Sequence, residues 1–152
     1  MIEWQWCSFA DLTGGELYEV LAQRQNVFIL EQACLYPDID GLDTAAHHLM
    51  GWRVDGGRRE LAAYLRILAP GAKYEQASIG RVLTTQASRG SGAGRELLRR
   101  GVELAGQLYP GHDIKIGAQQ YLEAFYQGFG FRTISAPYDE DGIMHIDMLR
   151  VP

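Results

Sequence analysis

The segment Ser88–Leu98, SRGSGAGRELL, sets glycines at alternate positions, Gly90, Gly92 and Gly94, between a β-rich run, Ile79–Thr84, and an amphipathic run. Alternate glycines weaken helix and strand alike and carry an entropic penalty, so this is a turn with a purpose outside the chain. A strand feeding a glycine-rich turn and then a helix can cradle an anion. The helix start offers unpaired N–H groups and the positive end of the macrodipole, and amides without neighbouring β-carbons can curl around phosphate oxygens. Arg89, Arg95, Arg99 and Arg100 add positive charge. A capped surface turn is the plain alternative. Two familiar nucleotide loops fail on spacing: Gly94 is followed by Arg95-Glu96 rather than Lys-Ser/Thr, and after Gly90-Ser91-Gly92 the third Rossmann glycine would have to be Arg95.

The rest of the chain alternates strand and helix signals. Ile2, Trp4 and Trp6 alternate with polar neighbours, as in a half-buried strand. Leu17, Val20, Leu21, Val27 and Phe28 recur at helical spacing, which predicts a helix from near Gly15 to beyond Arg24. CLYPDIDGLD reads as a loop. Two β-rich runs flank Asp55-Gly56-Gly57, a hairpin signal. A second helix is expected from about Gly92 to Leu108, with Leu97, Leu98, Val102, Leu104, Ala105 and Leu108 as its apolar stripe. DIKIGA reads as a strand, QQYLEAFYQGFGF as a short helix closed by Gly130, and FRTISAP and IMHIDMLRV as strands around the acidic turn YDEDG. The order β, α, loop, hairpin, β, α, β, α, β, β predicts one mixed α/β (α+β) domain over residues 1–152.

A length of 152 residues allows one domain with a real core. The net charge of −5 and a pI near 5.3 oppose nucleic-acid binding, which needs a concentrated basic stripe. Cys7 and Cys34 form no Cys-x-x-Cys pair and no leader is evident, so neither a disulfide framework nor a metal site is expected. No apolar run approaches the roughly 18–20 residues of a membrane span. The chain reads as cytoplasmic.

Arg89-x-x-Gly92-x-Gly94, after IGRVLTT, resembles the acetyl-CoA loop of the GCN5-related N-acetyltransferases, the GNAT superfamily. Phe125-Tyr126 and Gly130-Phe131 resemble that family's downstream helix, in the expected order. RQNVFILEQACLYPDIDGLD, HHL, IGRV and DEDGIMHIDM are similar to the ElaA-like branch, extending the resemblance over nearly the whole chain. One departure is Met144, where the branch has proline before the histidine.

The resemblance implies a twisted mixed sheet of about seven strands, splayed in the middle and flanked by about four helices. It implies acetyl-CoA as co-substrate, no metal, and a primary amine as acceptor, attacked directly in a ternary complex. A homodimer is compatible with it. The coenzyme would contact Val82, Leu83, Thr84, Arg89, Gly90, Ser91, Gly92, Ala93, Gly94, Arg95, Gln119, Phe125 and Tyr126, its pantetheine arm pairing with the strand Gly80–Leu83. Tyr126 would give a proton to the departing sulfur, the alternative being that it packs with Phe125 and Phe129. His145 or Glu31 would take the amine proton, unless His145 is structural and Glu31 simply ends a helix. Arg24, Gln32, Tyr36, His48 and Arg66 are the acceptor-side candidates, with Asp38, Asp40, Asp139, Glu140 and Asp141 as an acidic rim. His47 and His48 point to opposite faces of a strand, so at most one reaches a cleft. Cys34 reads as a small buried hydrophobe. Two other functions remain open: a non-catalytic acyl-CoA sensor, and a relative of the acyl-homoserine-lactone synthases, with which Arg24, Val27 and Phe28 have a faint similarity.

Overall fold

The computed structural model describes residues Met1–Pro152. The N-terminal alternation forms β1, Ile2–Ser8, and Thr13 caps helix α1, Gly14–Arg24, through a reciprocal pair with Glu16. The helix runs directly into a π-helical segment, Gln25–Glu31, as the periodicity predicted beyond Arg24. Strands β2, His47–Asp55, and β3, Arg58–Leu68, meet at a two-residue turn in which Gly56 and Gly57 both have positive φ, +55° and +83°. That is the geometry two glycines favour. Strand β4, Ala77–Thr84, leads through the glycine loop to α2, Ala93–Leu108, and then to β5, Ile114–Gln119. Helix α3, Glu123–Gln127, is followed by the short strands β6, Arg132–Thr133, and β7, Tyr138–Glu140, and by β8, Ile143–Arg150.

The strands form one sheet in the order β1-β2-β3-β4-β5-β8-β6, with β7 also on β8. Every pairing is antiparallel except β4 with β5. The mixed sheet has eight strands and is flanked by three α-helices, where about seven and about four were expected. FRTISAP does not form one continuous strand, because the Ser135 hydroxyl takes the place of a ladder carbonyl: it accepts from the Asp147 amide at 2.9 Å. The expected acidic turn is largely strand, and only Asp141 and Gly142, at φ +53° and +85°, make the bend. Met144 fits β8 opposite Asp139, so the missing proline leaves the hairpin intact.

Helix α2 covers one face of the sheet, burying Leu97, Leu98, Leu104 and Ala105 against Leu65, Ile67, Ile116 and Met148. Each fully buried leucine stabilises by roughly 1.5–3 kcal/mol relative to exposure. Gly101 permits the approach, because a β-carbon there would lie 2.6 Å from Leu65 Cδ2. Helix α1 and the π segment cover the other face through Val20, Val27 and Phe28 against Met50, Trp52, Leu61 and Tyr64. With both faces covered, β3 is buried continuously from Leu61 to Leu68. Of the tryptophans, Trp52 is buried while Trp6 on the edge strand is half exposed. No helix is long and apolar enough to cross a membrane.

Candidate active site

Strands β4 and β5 pair only at Ala77–Ile114 and Ser78–Lys115, then diverge. Beyond those pairs each keeps one neighbour, β3 or β8, and turns an edge without a strand partner toward the gap. The bend lies in β4. Its register with β3 shifts between Tyr64 and Arg66, and Arg81 adopts φ +51°, a left-handed conformation rare outside glycine. Such a bulge kinks one strand away from its neighbour. The gap opens into a cavity of about 720 Å³, lined by both strand edges, the π segment, the loop after it, α3 and the β7–β8 hairpin.

At the C-terminal end of β4 the cavity reaches the glycine loop. Gly90 and Gly92 take φ +80° and +84°, where a side chain would be strained. Gly92 ends the loop as the residue before α2 and supplies no side-chain cap, so the first amides of a 16-residue helix are left for an external acceptor. Helix α1 contrasts with it, being capped by its own Thr13 and Glu16. Val82, Leu83, Thr84, Arg89, Gly94, Gln119, Phe125 and Tyr126 line the cavity. Gly90, Ser91, Gly92 and Arg95 are exposed outside its lining, and Ala93 is buried. Arg95 makes no ion pair, whereas Arg99 and Arg100, expected to add charge to the loop, are tied to Glu96 within the helix. The loop and its uncapped helix start therefore fit a diphosphate, and the two unpaired edges fit an extended amide-bearing arm.

Tyr126 is buried by Phe125 and Phe131, to which its ring stands edge-on, yet it lines the cavity and its hydroxyl has no protein hydrogen-bond partner. Burial raises its pKa above the ordinary tyrosine value, so the hydroxyl keeps its proton. Packing and cavity access, alternatives in the sequence, coexist here. His145, on β8, also lines the cavity. Its Nδ1 is 2.8 Å from the Ile143 carbonyl, which accepts from it, and its Nε2 is directed away from that bond. Glu140 Oε2 is 3.4 Å from that Nε2. Glu31 also lines the cavity, but its carboxylate pairs with Arg89.

The acceptor-side candidates separate. Gln32 and Tyr36 line the cavity, Gln32 accepting from Gln119 across the gap at 3.3 Å. Burial pushes the Tyr36 hydroxyl up to about 12. Arg24 and His48 do not line it: both are sealed inside the protein. His48 donates from Nε2 to the Asp43 carbonyl at 2.9 Å and accepts at Nδ1 from Tyr64 at 2.7 Å, leaving no nitrogen for a substrate. His47 does not line the cavity either.

Arg24 belongs to a cluster that the sequence did not reveal. It contacts Asp38 at 2.9 Å and Asp43 at 2.6 Å; Arg66 contacts Asp43 at 2.9 Å and Asp40 at 2.5 Å. Arg81 Nε lies 2.8 Å from Asp38, close enough for an ion pair though not aligned as a hydrogen bond. Burial opposes the charges on Asp40 and Asp43, but hydrogen bonds from the arginines outweigh it and hold both carboxyls below the usual aspartate range. Arg66, expected to meet the acceptor, borders the cavity with its charge already neutralised. Three aspartates thus fasten the loop after the π segment onto α1, β3 and β4, fixing one wall of the cavity. Cys34 adds a contact from the same loop, donating its thiol to the Asp141 carbonyl at 3.0 Å. Of the expected rim, Asp38 and Asp40 are therefore structural ties, whereas Asp139, Glu140 and Asp141 on the hairpin stay exposed. Lys73 and Tyr74, from the β3–β4 connection, also line the cavity and carried no sequence signal.

The Acetyltransferase (GNAT) domain family matches residues 54–151. A UPF0039 protein of Synechocystis is 45% identical over 99% of this chain and 97% of its own. Protein ElaA of Escherichia coli is 41% identical over the same shares, and its crystal structure superimposes with a TM-score of 0.90 over 99% of each chain. An acyl-CoA N-acyltransferase from Pseudomonas aeruginosa gives a TM-score of 0.92 at 41% identity, over 99% of this chain and 100% of that one. Split strands above a glycine-lined helix start, and full-length similarity to these proteins, have one common explanation: the chain belongs to the GNAT acyltransferase family, in its ElaA-like branch.

Proposed function

We propose that the protein acetylates a small primary amine, using acetyl-CoA in a direct ternary complex in the cytoplasm. The observation that carries this reading is the continuity of the unpaired β4 and β5 edges with the uncapped start of α2. The amides of Gly92–Arg95 would hold the diphosphate, and the β4 edge from Gly80 to Leu83 would bind the pantetheine arm as an added strand. When bound, the coenzyme supplies the acyl thioester. The chain supplies the proton transfers: Nε2 of His145 accepts from the amine, with Glu140 beside the imidazolium that forms, and the Tyr126 hydroxyl protonates the departing sulfur. His145 is preferred to Glu31 as base because Arg89 already holds the Glu31 carboxylate. Free Cys7 and Cys34 accord with a reducing compartment.

The test has two stages. Acetyl-CoA at about 100 times its dissociation constant should add roughly 2.7 kcal/mol of stability. Thiol release is then followed across a panel of primary amines. No stabilisation would overturn coenzyme binding; stabilisation without release from any amine would leave a sensor rather than an enzyme.

A further inference from the structure

The charges that the cavity leaves without partners indicate the acceptor's chemistry, an inference that rests on the acyl-transfer reading above. The gap between β4 and β5 has two ends. Thr84 leads into the glycine loop at one; at the other the strands are still paired, and the walls are the β3–β4 connection and the β7–β8 hairpin. Most ionised groups along it are neutralised: Arg66 and Arg81 by the loop aspartates, Glu31 by Arg89. Lys73 is not. It makes no ion pair, and its ammonium lies 5.4 Å from the centroid of the Tyr74 ring. On the hairpin, the Asp141 carboxylate is also without an ion-pair partner, and Glu140 contacts the His145 imidazole at 3.4 Å while its charge reaches Lys73 without pairing to it.

Tyr74 adds a donor. Its ring also lies beneath Lys115, at 4.6 Å, yet its hydroxyl has no protein hydrogen-bond partner. A β-carbon on Gly117 would stand 3.4 Å from that hydroxyl, so the glycine keeps this face of β5 clear. The paired end of the cavity therefore presents one unpaired cation with a hydroxyl donor, and carboxylates beside the proposed base. A simple amine would leave Lys73 facing a second cation. A molecule carrying both signs answers both walls.

We propose that the acceptor is a small amino-carboxylate, its carboxylate bound by Lys73 Nζ and the Tyr74 hydroxyl and its amine delivered to His145 beside Glu140. The amine nitrogen forms the bond to the acetyl carbon and the carbon–sulfur bond breaks. The amine's proton goes to His145 and the sulfur takes one from Tyr126, so an N-acetyl amino-carboxylate and free CoA leave.

The experiment compares α-amino acids with their carboxamides as paired acceptors. A charged hydrogen bond contributes about 1.5–3 kcal/mol, so kcat/KM for the acid is expected to exceed that for the amide by about ten- to a hundredfold. Lys73→Met is expected to erase this preference and Lys73→Arg to keep most of it. Equal rates for acid and amide, or a preference that survives Lys73→Met, overturn the inference while leaving acyl transfer intact. If no turnover is seen, thermal stabilisation in the presence of CoA is compared for N-acetyl amino acids and their amides. Stabilisation by the acid alone, lost in Lys73→Met, supports the inference, and equal effects overturn it. Failure of acetyl-CoA itself to stabilise the protein overturns the acyl-transfer reading, and this inference with it.

Discussion

Asp43 is where the cavity's wall is most open to a decisive test. Its Oδ1 receives Arg24 at 2.6 Å and Arg66 at 2.9 Å, and both arginines are buried. Asp43→Asn keeps the size and one acceptor oxygen but removes the charge, leaving three arginines against two aspartates. Breaking a buried ion pair from one side costs about 3–5 kcal/mol. Because the amide oxygen still accepts, the lower value, about 3 kcal/mol, is expected, or roughly 6–12 °C in Tm at about 2–4 °C per kcal/mol. The pH dependence separates charge from packing. The folded-state pKa of Asp43 is depressed, so its contribution is complete above the unfolded value, about 3.9, and is lost as pH falls through the lower folded value. Urea unfolding of both proteins at neutral and acid pH should show a gap that is full at pH 7 and closes only below about pH 4. A gap under about 1 kcal/mol at neutral pH, or one that does not narrow in acid, would refute the view that this cluster holds the wall electrostatically.

Three further outcomes follow from the site. Gly92→Val forces a β-branched residue to φ +84°, a strain of about 1–2 kcal/mol, and should weaken acetyl-CoA binding by about tenfold in calorimetry; an unaltered Kd would remove the loop from the coenzyme site. Tyr126→Phe should lower kcat by about a hundredfold or more with little change in CoA affinity, and unchanged turnover would exclude the hydroxyl as acid. His145→Gln should remove most of the activity with little change in CoA affinity; unchanged turnover would return the base to Glu31.

What the sequence disclosed follows from how local each signal is. The glycine loop, its flanking strand and its helix lie within about thirty consecutive residues, and their roles rest on backbone conformation, which glycine spacing records directly. The Gly56-Gly57 hairpin was legible for the same reason. The acceptor end was legible only in part: His145, Glu140, Gln32 and Tyr36 stood out as residues, whereas Lys73 and Tyr74 did not, and nothing showed that they meet. Lys73, Tyr74, Glu140 and His145 converge from two separate connections of the sheet, and the ties among Asp38, Asp40, Asp43, Arg24, Arg66 and Arg81 span up to 43 positions. Arg24 and Arg66 looked like ligands for an acceptor because an arginine's charge is visible in a sequence and its partner is not. His48 misled likewise: its alternation suggested access to the cleft, while Tyr64 and the Asp43 carbonyl consume both its nitrogens.

Arg81 joins the two ends of the site. Its left-handed backbone, at φ +51°, makes the bulge that bends β4 from β5, and so opens the gap between them. In a residue with a β-carbon that conformation is unfavourable by about 1–2 kcal/mol, and glycine would adopt it freely. Glycine could not, however, reach Asp38 at 2.8 Å and Asp40 at 3.3 Å, the contacts through which Arg81 binds the loop that walls the acceptor end. Nor would it cover the Tyr36 ring, 5.6 Å from its guanidinium. The strain is therefore offset by anchoring. One side chain couples the opening between the strands to the position of the loop that walls the cavity, so a loop that loosens also releases the residue that shapes β4.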